Sequence, residues 1–487
     1  MSVVGLASTF AVSKASGQIL GANNRVRVGI AGFRGRGFEH IKAFGTTKDV
    51  AVAALVDIDK AILAQWTTKT KEDFGYEPLA VQDIRQILDD KSIDAISLAT
   101  CDHTHTLYTV WGCQAGKDVY VEKPCSHNIT EGRRCIQAAE KYKRIVQHGT
   151  QERATHTSFM NPAKVPHELI IAALKSGKYG KLQIAKGFCV RHRLSIGFKQ
   201  PEPPPESVNW DVWLGPAPEQ PFHRNLVHYE WHWFWDFGCG DIGNLGIHLL
   251  DICRWKTGYA MPKKVLSFGQ RYVNEPEHGF KDQGETPNMH LSLFDYGDVK
   301  VLFEVRGLVN PKPVQGSNWN SKVDVEYHTD AGVIRGGDFY PNDEPEKKVK
   351  LDVPYEKKPG SENVSNIFHN FIDCVRSRRR ENLMADIFEG HCTATHVHSS
   401  NISYRLGEVA SLDSIRSAFG NEVPVQKSID DIVQNTAEML PELKNPQFVL
   451  GKQLQFDEKT ETFVGNAAAN AFLNRKYRAP YIVPENV

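Results

Sequence analysis

Val26-Arg-Val-Gly-Ile-Ala-Gly-Phe-Arg-Gly-Arg-Gly37 decides the fold. Its first half is a short apolar strand, and its second half is a tight glycine turn. Phe38 to Phe44 begins a helix, and Val50-Ala-Val-Ala-Ala-Leu-Val56 is the next buried strand. That strand ends in Asp57, twenty residues after Gly37. The order of strand, glycine turn, helix, strand and acid is the spacing of a dinucleotide-binding βαβ unit. Each part has a physical task. The turn at Gly32-Phe33-Arg34 and Gly37 lets backbone approach a pyrophosphate, the helix N-terminus offers N–H groups, and the acid bonds ribose hydroxyls. Arg34 stands where the pattern has its middle glycine, and it either lies over the pyrophosphate or points to solvent. Asp57 favours NAD, since it would repel a 2′-phosphate; Arg34 and Arg36 nearby keep NADP as the alternative.

The alternation continues outward. A helix is predicted from Asp83 to Asp89 and a third strand over Ala95–Ala99. This strand runs into Thr100-Cys-Asp-His-Thr-His105 and a helix through Gln114. Lys117–Val121 is a fourth strand, followed by Glu122-Lys-Pro124. Thr130–Lys143 is a helix and Ile145–His148 a fifth strand. Strands and helices of this length predict a doubly wound parallel sheet over residues 25–150. Ligands bind beyond the strand C-termini of such sheets, where Gly32, Asp57, Thr100, His105 and Lys123 all fall.

The second half reads differently. Helix is predicted over Pro162–Ser176 and a strand over Leu182–Arg191. Ser195 to His228 is irregular, with seven prolines, and long loops of this kind are functional or disordered. Strands at Lys264–Tyr272, His290–Tyr296, Val299–Arg306 and Val323–Tyr327 follow without helices between them, which predicts an antiparallel sheet. Asn366–Arg378 and Thr393–Leu406 read as two late helices. From Glu408 the chain is polar and irregular, a wrapping extension over 408–487.

Before that sheet, Asp236-Phe-Gly-Cys-Gly-Asp-Ile-Gly-Asn-Leu-Gly-Ile-His-Leu-Leu-Asp251 is a glycine-rich run entering an apolar helix. Asn244, His248 and Asp251, spaced four and three apart, share one helix face. An imidazole beside a carboxylate suits general acid/base work, and the bland alternative is a histidine satisfied in a packing surface. Asp241 is either a carboxylate partner for His248 or, preferentially, a helix N-cap. Trp231, Trp233 and Trp235 alternate, which fits either stacking faces for a pyranose or a half-buried strand. Trp210, Trp213, His228, Tyr229 and His232 are further pocket candidates.

Bulk numbers bound the classes. At 487 residues the chain needs more than one core. Lysine plus arginine equals aspartate plus glutamate at 58 each, which gives no reason to expect nucleic acid. The nine cysteines are scattered with no C-x-x-C pair, so neither a metal site nor a disulfide framework is expected. No apolar run of membrane-spanning length exists, and no membrane partner is expected. Residues 1–24 are leader-like or disordered. Their small apolar stretch ends in Ile19-Leu-Gly-Ala22 but lacks a charged start beyond Lys14, which leaves a periplasmic or a cytoplasmic location.

The glycine turn, the Thr100–His105 segment, Glu122-Lys-Pro124 and the run into Gly-Ile-His248 together resemble the Gfo/Idh/MocA oxidoreductases (glucose-fructose oxidoreductase, inositol dehydrogenase and rhizopine catabolism proteins). The resemblance spans about residues 25–407. It implies a Rossmann domain followed by an α/β domain on an open, mostly antiparallel sheet over 151–407, whose outer face makes a homodimer or homotetramer. It also implies hydride transfer between NAD(P) and a hydroxyl of a sugar, polyol or cyclitol. Lys123 matches the family's E-K-P lysine, next to the nicotinamide ribose and the reacting oxygen, and His248 matches its general base. Gln151 and Arg153 resemble family positions near the nicotinamide or substrate; read from the residues themselves, Arg191, Trp231 and Trp235 are candidate substrate contacts. Asn244 replaces an aspartate that many members have four residues before the histidine. An amide takes no proton at neutral pH, which leaves Asp251 or Asp241 as carboxylate partner.

Three functions are consistent with these residues. One is a net carbohydrate dehydrogenase. Another is a redox-assisted glycoside-cleaving enzyme, with tightly bound NAD and a transient keto-sugar. The third is a non-catalytic sugar- or nucleotide-binding protein. The intact Glu122-Lys-Pro124 favours the first.

Overall fold

The computed structural model describes residues 25–154, 165–356 and 366–487. The leader-like segment 1–24 and the start of the helix expected from Pro162 lie outside them.

Six parallel strands form the first sheet: β1 (Val26–Ala31), β2 (Val50–Val56), β3 (Leu79–Val81), β4 (Ala95–Leu98), β5 (Asp118–Val121) and β6 (Val146–His148). Their order is β3-β2-β1-β4-β5-β6, so the chain reverses direction across the sheet between β1 and β4. The central strands are mostly apolar because helices cover both faces. Five strands were expected. The sixth, β3, is a three-residue edge strand with its first two residues exposed, too short and too polar in its surroundings to register as an apolar run. The helix expected over Asp83–Asp89 is a single turn, Arg85–Leu88.

The second sheet has twelve strands: β7 (Leu182–Val190), β8 (Lys264–Gln270), β9 (Met289–Asp295), β10 (Lys300–Arg306), β11 (Lys322–Thr329), β12 (Gly332–Arg335), β13 (Asp338–Pro341), β14 (Val349–Lys350), β15 (Glu408–Ala410), β16 (Phe448–Leu450), β17 (Leu454–Asp457) and β18 (Thr462–Phe463). The main path runs β14-β13-β12-β11-β7-β10-β9-β8-β16-β15, with β17 also on β8. Within this sheet β7 and β10 pair in parallel, and the other described pairings are antiparallel. Strand alternation sorts the side chains. Ala185, Cys189, Val265, Phe294, Val301 and Phe303 pack inward on the helix Ile247–Thr257.

The opposite face is also covered, by the chain itself. Ile184, Leu266, Leu291, Leu293 and Leu302 pack against Ile415, Phe419, Val425, Ile429 and Ile432 of the helices Leu412–Phe419 and Val423–Met439. This corrects the reading of 408–487 as irregular: the segment holds two helices on the sheet and four short strands. It also occupies, at β8, β9 and β10, part of the surface through which self-association was expected.

Two later segments return to the first sheet. The helix Ile367–Ser377 packs Phe368 and Phe371 on Phe44 and Tyr120, and Tyr481 and Val483 near the C-terminus join the core around β4 and β5. Among the described residues no helix is long and apolar enough to cross a membrane.

Candidate active site

A cavity of about 530 Å³ lies beyond the C-terminal ends of β1, β2, β4 and β5. This is within the range of small-molecule sites. Its floor begins at the glycine turn. Gly32 has a φ of +75°, and a Cβ there would lie 2.7 Å from the Ala99 carbonyl oxygen. Gly37 does not itself line the cavity, but a Cβ on it would fall 1.9 Å from the Gly32 oxygen, so the helix can start here only on glycine. The Phe33 N–H donates to Asp57 Oδ2 at 3.2 Å, and the Asp59 N–H donates to Asp57 Oδ1 at 3.0 Å. Burial pushes the Asp57 carboxyl up to about 6 against those two donors. A glycine-only cradle beside a buried, oriented carboxylate fits a pyrophosphate and its ribose.

Glu122 and Lys123 come from the end of β5. Glu122 accepts from Gln151 Nε2 at 2.6 Å, Arg36 Nε at 3.2 Å and buried His40 Nε2 at 3.2 Å. Burial alone would raise its pKa; the His40 hydrogen bond and the Arg36 charge instead hold it well below the usual carboxylate range. The Lys123 ammonium donates to the main-chain carbonyl of Asn244. Burial lowers its pKa, with Glu122 and Asp102 opposing.

The back wall is the glycine-rich run. It forms a π turn, Ile242–Gly246, that leads directly into the helix Ile247–Thr257. Such turns insert a residue into the helical repeat and recur at functional sites. Gly246 is pressed against Phe303 of β10, where a Cβ would meet the ring at 2.7 Å. Asn244 and His248 both line the cavity, and Asn244 Nδ2 donates to the Tyr229 hydroxyl at 3.3 Å. Burial, then the Lys123 charge, pushes the His248 imidazole down to about 3. Its Nδ1 has no hydrogen-bond partner among the described residues. It is therefore a neutral ring with an unsatisfied nitrogen at the cavity wall.

The structure brings Gly32, Phe33, Arg34, Asp57, Thr100, His105, Glu122, Lys123, Gln151, Trp231, Asn244 and His248 to this one cavity. The two ring nitrogens of His105 face the carbonyls of Pro124 and Thr100, at 2.6 and 3.1 Å, and the neutral ring donates to one of them. Four other expected residues lie elsewhere. Arg153 and Asp251 form a buried two-pronged ion pair at 2.6 and 2.7 Å, and Thr393 Oγ1 donates to the same carboxylate. Asp251 sits about 60° around and roughly 4.5 Å along the helix from His248, and that offset turns it away from the cavity. Arg191 is exposed, and Trp235 lies beneath the Arg405 guanidinium. Asp241 caps nothing with its side chain; it is paired with Arg193 at 2.9 Å. No carboxylate bonds to His248, so the Asp-His dyad is absent among the described residues. The alternating tryptophans are not a strand: Glu230–Trp233 is a 3₁₀ turn, with Trp231 stacked on His232 at 3.6 Å.

Asp102 escaped the sequence reading. It is buried at the start of the helix Asp102–Gln114, lines the cavity and has an unpartnered Oδ2 among the described residues. Burial pushes it up to about 8, with Lys123 opposing. Its signal was its place after β4, obscured because an acid in a first helical turn is ordinary.

Residues 26–150 match the GFO_IDH_MocA oxidoreductase family, NAD-binding Rossmann fold, and residues 188–265 match that family's C-terminal alpha/beta domain. Two stretches of the chain thus match models of the Gfo/Idh/MocA oxidoreductase family. The chain's N-terminal domain is accordingly an NAD-binding Rossmann domain. Among Gfo/Idh/MocA relatives, it is 25% identical to myo-inositol 2-dehydrogenase of Thermotoga maritima over 180 residues, 37% of this chain and 47% of that protein. It is 31% identical to inositol 2-dehydrogenase 1 of Saccharopolyspora erythraea over 124 residues, 23% of this chain and 36% of that protein. The chain thus matches less than half the length of these relatives. The WlbA dehydrogenase of Bordetella pertussis, solved with NADH and UDP-GlcNAcA, superposes with a TM-score of 0.54 at 16% identity, covering 78% of this chain and 97% of that one. GenD2 from gentamicin A biosynthesis, solved with NAD, gives 0.52 at 17% identity over 82% and 96%. At such identity these two likenesses show the fold alone.

Proposed function

We propose that the chain is a dehydrogenase that uses NAD to oxidise a CH–OH group of a cyclitol, sugar or polyol. The observation that carries the reading is that Lys123, from the first domain, and His248, from the second, line one cavity with Asp57 and the glycine turn. The inositol dehydrogenase relatives support a cyclitol or related polyol.

Gly32, Phe33 and Arg34 would hold the pyrophosphate on a turn that Gly37 lets close, Asp57 the adenosine ribose hydroxyls, and Glu122, Lys123 and Gln151 the nicotinamide side. The dinucleotide, when bound, supplies the redox chemistry. Loss of hydride from a carbinol carbon requires loss of the hydroxyl proton. His248 enters neutral and takes that proton, while the Lys123 ammonium stabilises the charge developing on oxygen. Asn244 fixes the geometry through its carbonyl to Lys123 and its amide to Tyr229. Trp231 offers an apolar face to ring C–H groups.

The test is purified protein with NAD and a panel of inositols, sugars and sugar acids, read by absorbance of the reduced nicotinamide. Reduction with at least one polyol supports the proposal. Aglycone release from glycosides with no net reduction would instead establish redox-assisted cleavage.

A further inference from the structure

The dinucleotide groove has a wall that does not belong to the Rossmann domain. Ile58, Gln82, Ile84 and Tyr108 line the end of the cavity beyond Asp57, where adenosine lies if the nucleotide reading holds. Val212, Trp213 and His228 line the same cavity from the irregular segment of the second domain.

That segment is stitched to the loop after β2. The Lys60 N–H donates to the Ser207 carbonyl at 2.9 Å, and the Asn209 N–H to the Ile58 carbonyl at 2.8 Å. Gln82 Nε2 bonds both carbonyls, at 2.7 and 3.2 Å, and His228 Nε2 lies 3.2 Å from Asp59 Oδ2. Further along, His103 Nε2 contacts the Trp213 carbonyl at 2.9 Å.

The far side of the segment is fastened by the last residues of the chain. Arg478 donates from Nη2 to the Asp211 carbonyl at 2.6 Å and from Nε to the Gly215 carbonyl at 3.1 Å. The Tyr481 hydroxyl donates to Asp211 Oδ2 at 2.8 Å. Tyr481 is itself anchored: it is 1% exposed in the core of the first domain. The chain thus leaves the first domain, crosses its nucleotide groove, and is pinned back to that domain by its own tail.

We propose that residues 205–235 are a strap over the adenosine half of the groove, buckled by Arg478 and Tyr481, and that its lifting sets the rate at which the dinucleotide exchanges. The inference rests on the nucleotide-site reading above. An open Rossmann groove releases its ligand along one edge; here release requires the strap to lift, and opening of such segments sets release rates. The Arg478–Asp211 carboxylate pair contributes little, because Asp211 is largely exposed. The fastening strength lies in Arg478's bonds to main-chain carbonyls and in the buried Tyr481.

The experiment loads the full chain with NAD, removes the excess, and chases with isotopically labelled NAD. The bound mass is followed by native mass spectrometry, and amide hydrogen exchange is followed over 205–217. Wild type is expected to exchange slowly. Arg478→Ala should exchange about tenfold faster or more, with faster amide exchange in the strap. Tyr481→Phe, which keeps the ring in the core and guards against misfolding of the first variant, should show a smaller change in the same direction. Exchange of wild-type NAD within the mixing time, or wild-type exchange rates in both variants, overturns the proposal. Absence of any NAD binding at millimolar concentration refutes the nucleotide site itself, and the strap with it.

Discussion

Lys123 at the end of β5 donates its side-chain proton to the main-chain carbonyl of Asn244 in the π turn, so one hydrogen bond joins the two domains at the chemical centre of the cleft. The ammonium is thereby fixed by a group that carries no charge, and its own charge stays available to a reacting oxygen. Lys123→Met keeps the length of the side chain and removes both functions. The expected result is a loss of kcat/KM of roughly a hundred- to a thousandfold, with NAD still bound. Steady-state kinetics alongside a nucleotide-binding measurement decides; unchanged turnover removes Lys123 from the reaction.

The proton-transfer role proposed for His248 has no carboxylate behind it, since Asp251 is committed to Arg153 and Asp241 to Arg193. His248→Asn is expected to lower kcat by roughly a hundred- to ten-thousandfold while leaving NAD affinity within a few-fold. Asp251→Asn acts differently. It leaves a buried arginine without its main counter-charge and is expected to cost about 3–5 kcal/mol of stability. Thermal unfolding separates the two variants: the first should melt like wild type, the second should not.

The pH dependence of nucleotide binding follows from Asp57. Burial pushes its carboxyl up to about 6, and ribose hydroxyls are bound best by the ionised form. NAD affinity should then fall as pH drops through about 6, approaching tenfold per unit below it. Asp57→Asn should bind NAD weakly at all pH values and lose the dependence. Binding titrations between pH 5 and pH 8 test this.

The Rossmann half was readable because each of its signals is local. The glycine turn, Asp57 and the buried strands each announce themselves within a few residues, and the parallel sheet follows from their alternation. The site's second half depends on partners that lie far apart in sequence. Nothing near Arg153 says that it pairs with Asp251, 98 residues on, and nothing near Asp241 names Arg193. Helical spacing put Asn244, His248 and Asp251 on one face; the first two do share the cavity, but Asp251 is turned from it and paired with Arg153. The tail was misread for another reason. Val425, Ile429 and Ile432 do repeat at helical spacing, yet the many charges around them masked a single apolar stripe.

Acid sensitivity is written into the interior. His103, His290, His396 and His398 are buried, and burial lowers each to about 3 from an ordinary 6.5. The unfolded chain binds more protons than the native one between those values. The stability they contribute is therefore complete above pH 6.5 and is lost as pH falls towards 3. Each neutral histidine adds up to about 1.4 kcal/mol per pH unit to that slope. Denaturant midpoints should fall steeply between pH 6 and pH 4, and replacing His290 with Gln should make the fall shallower. A flat stability profile over that range would contradict the burial of these rings.

The helix Val423–Met439 should behave as part of the second domain's core and not as an appendage. Ile429 is fully buried between that helix and the sheet, among Leu302, Leu291 and Ile184. Ile429→Ala removes that packing and is expected to cost about 2–5 kcal/mol, because a sheet face cannot collapse to fill the space. Val423, 78% exposed at the start of the same helix, is the matched control, and its replacement by alanine should change stability by less than about 0.5 kcal/mol. Chemical denaturation of the two variants against wild type checks the contrast. If both behave alike, the helices do not cover the sheet, and its apolar face is free for a second copy of the chain.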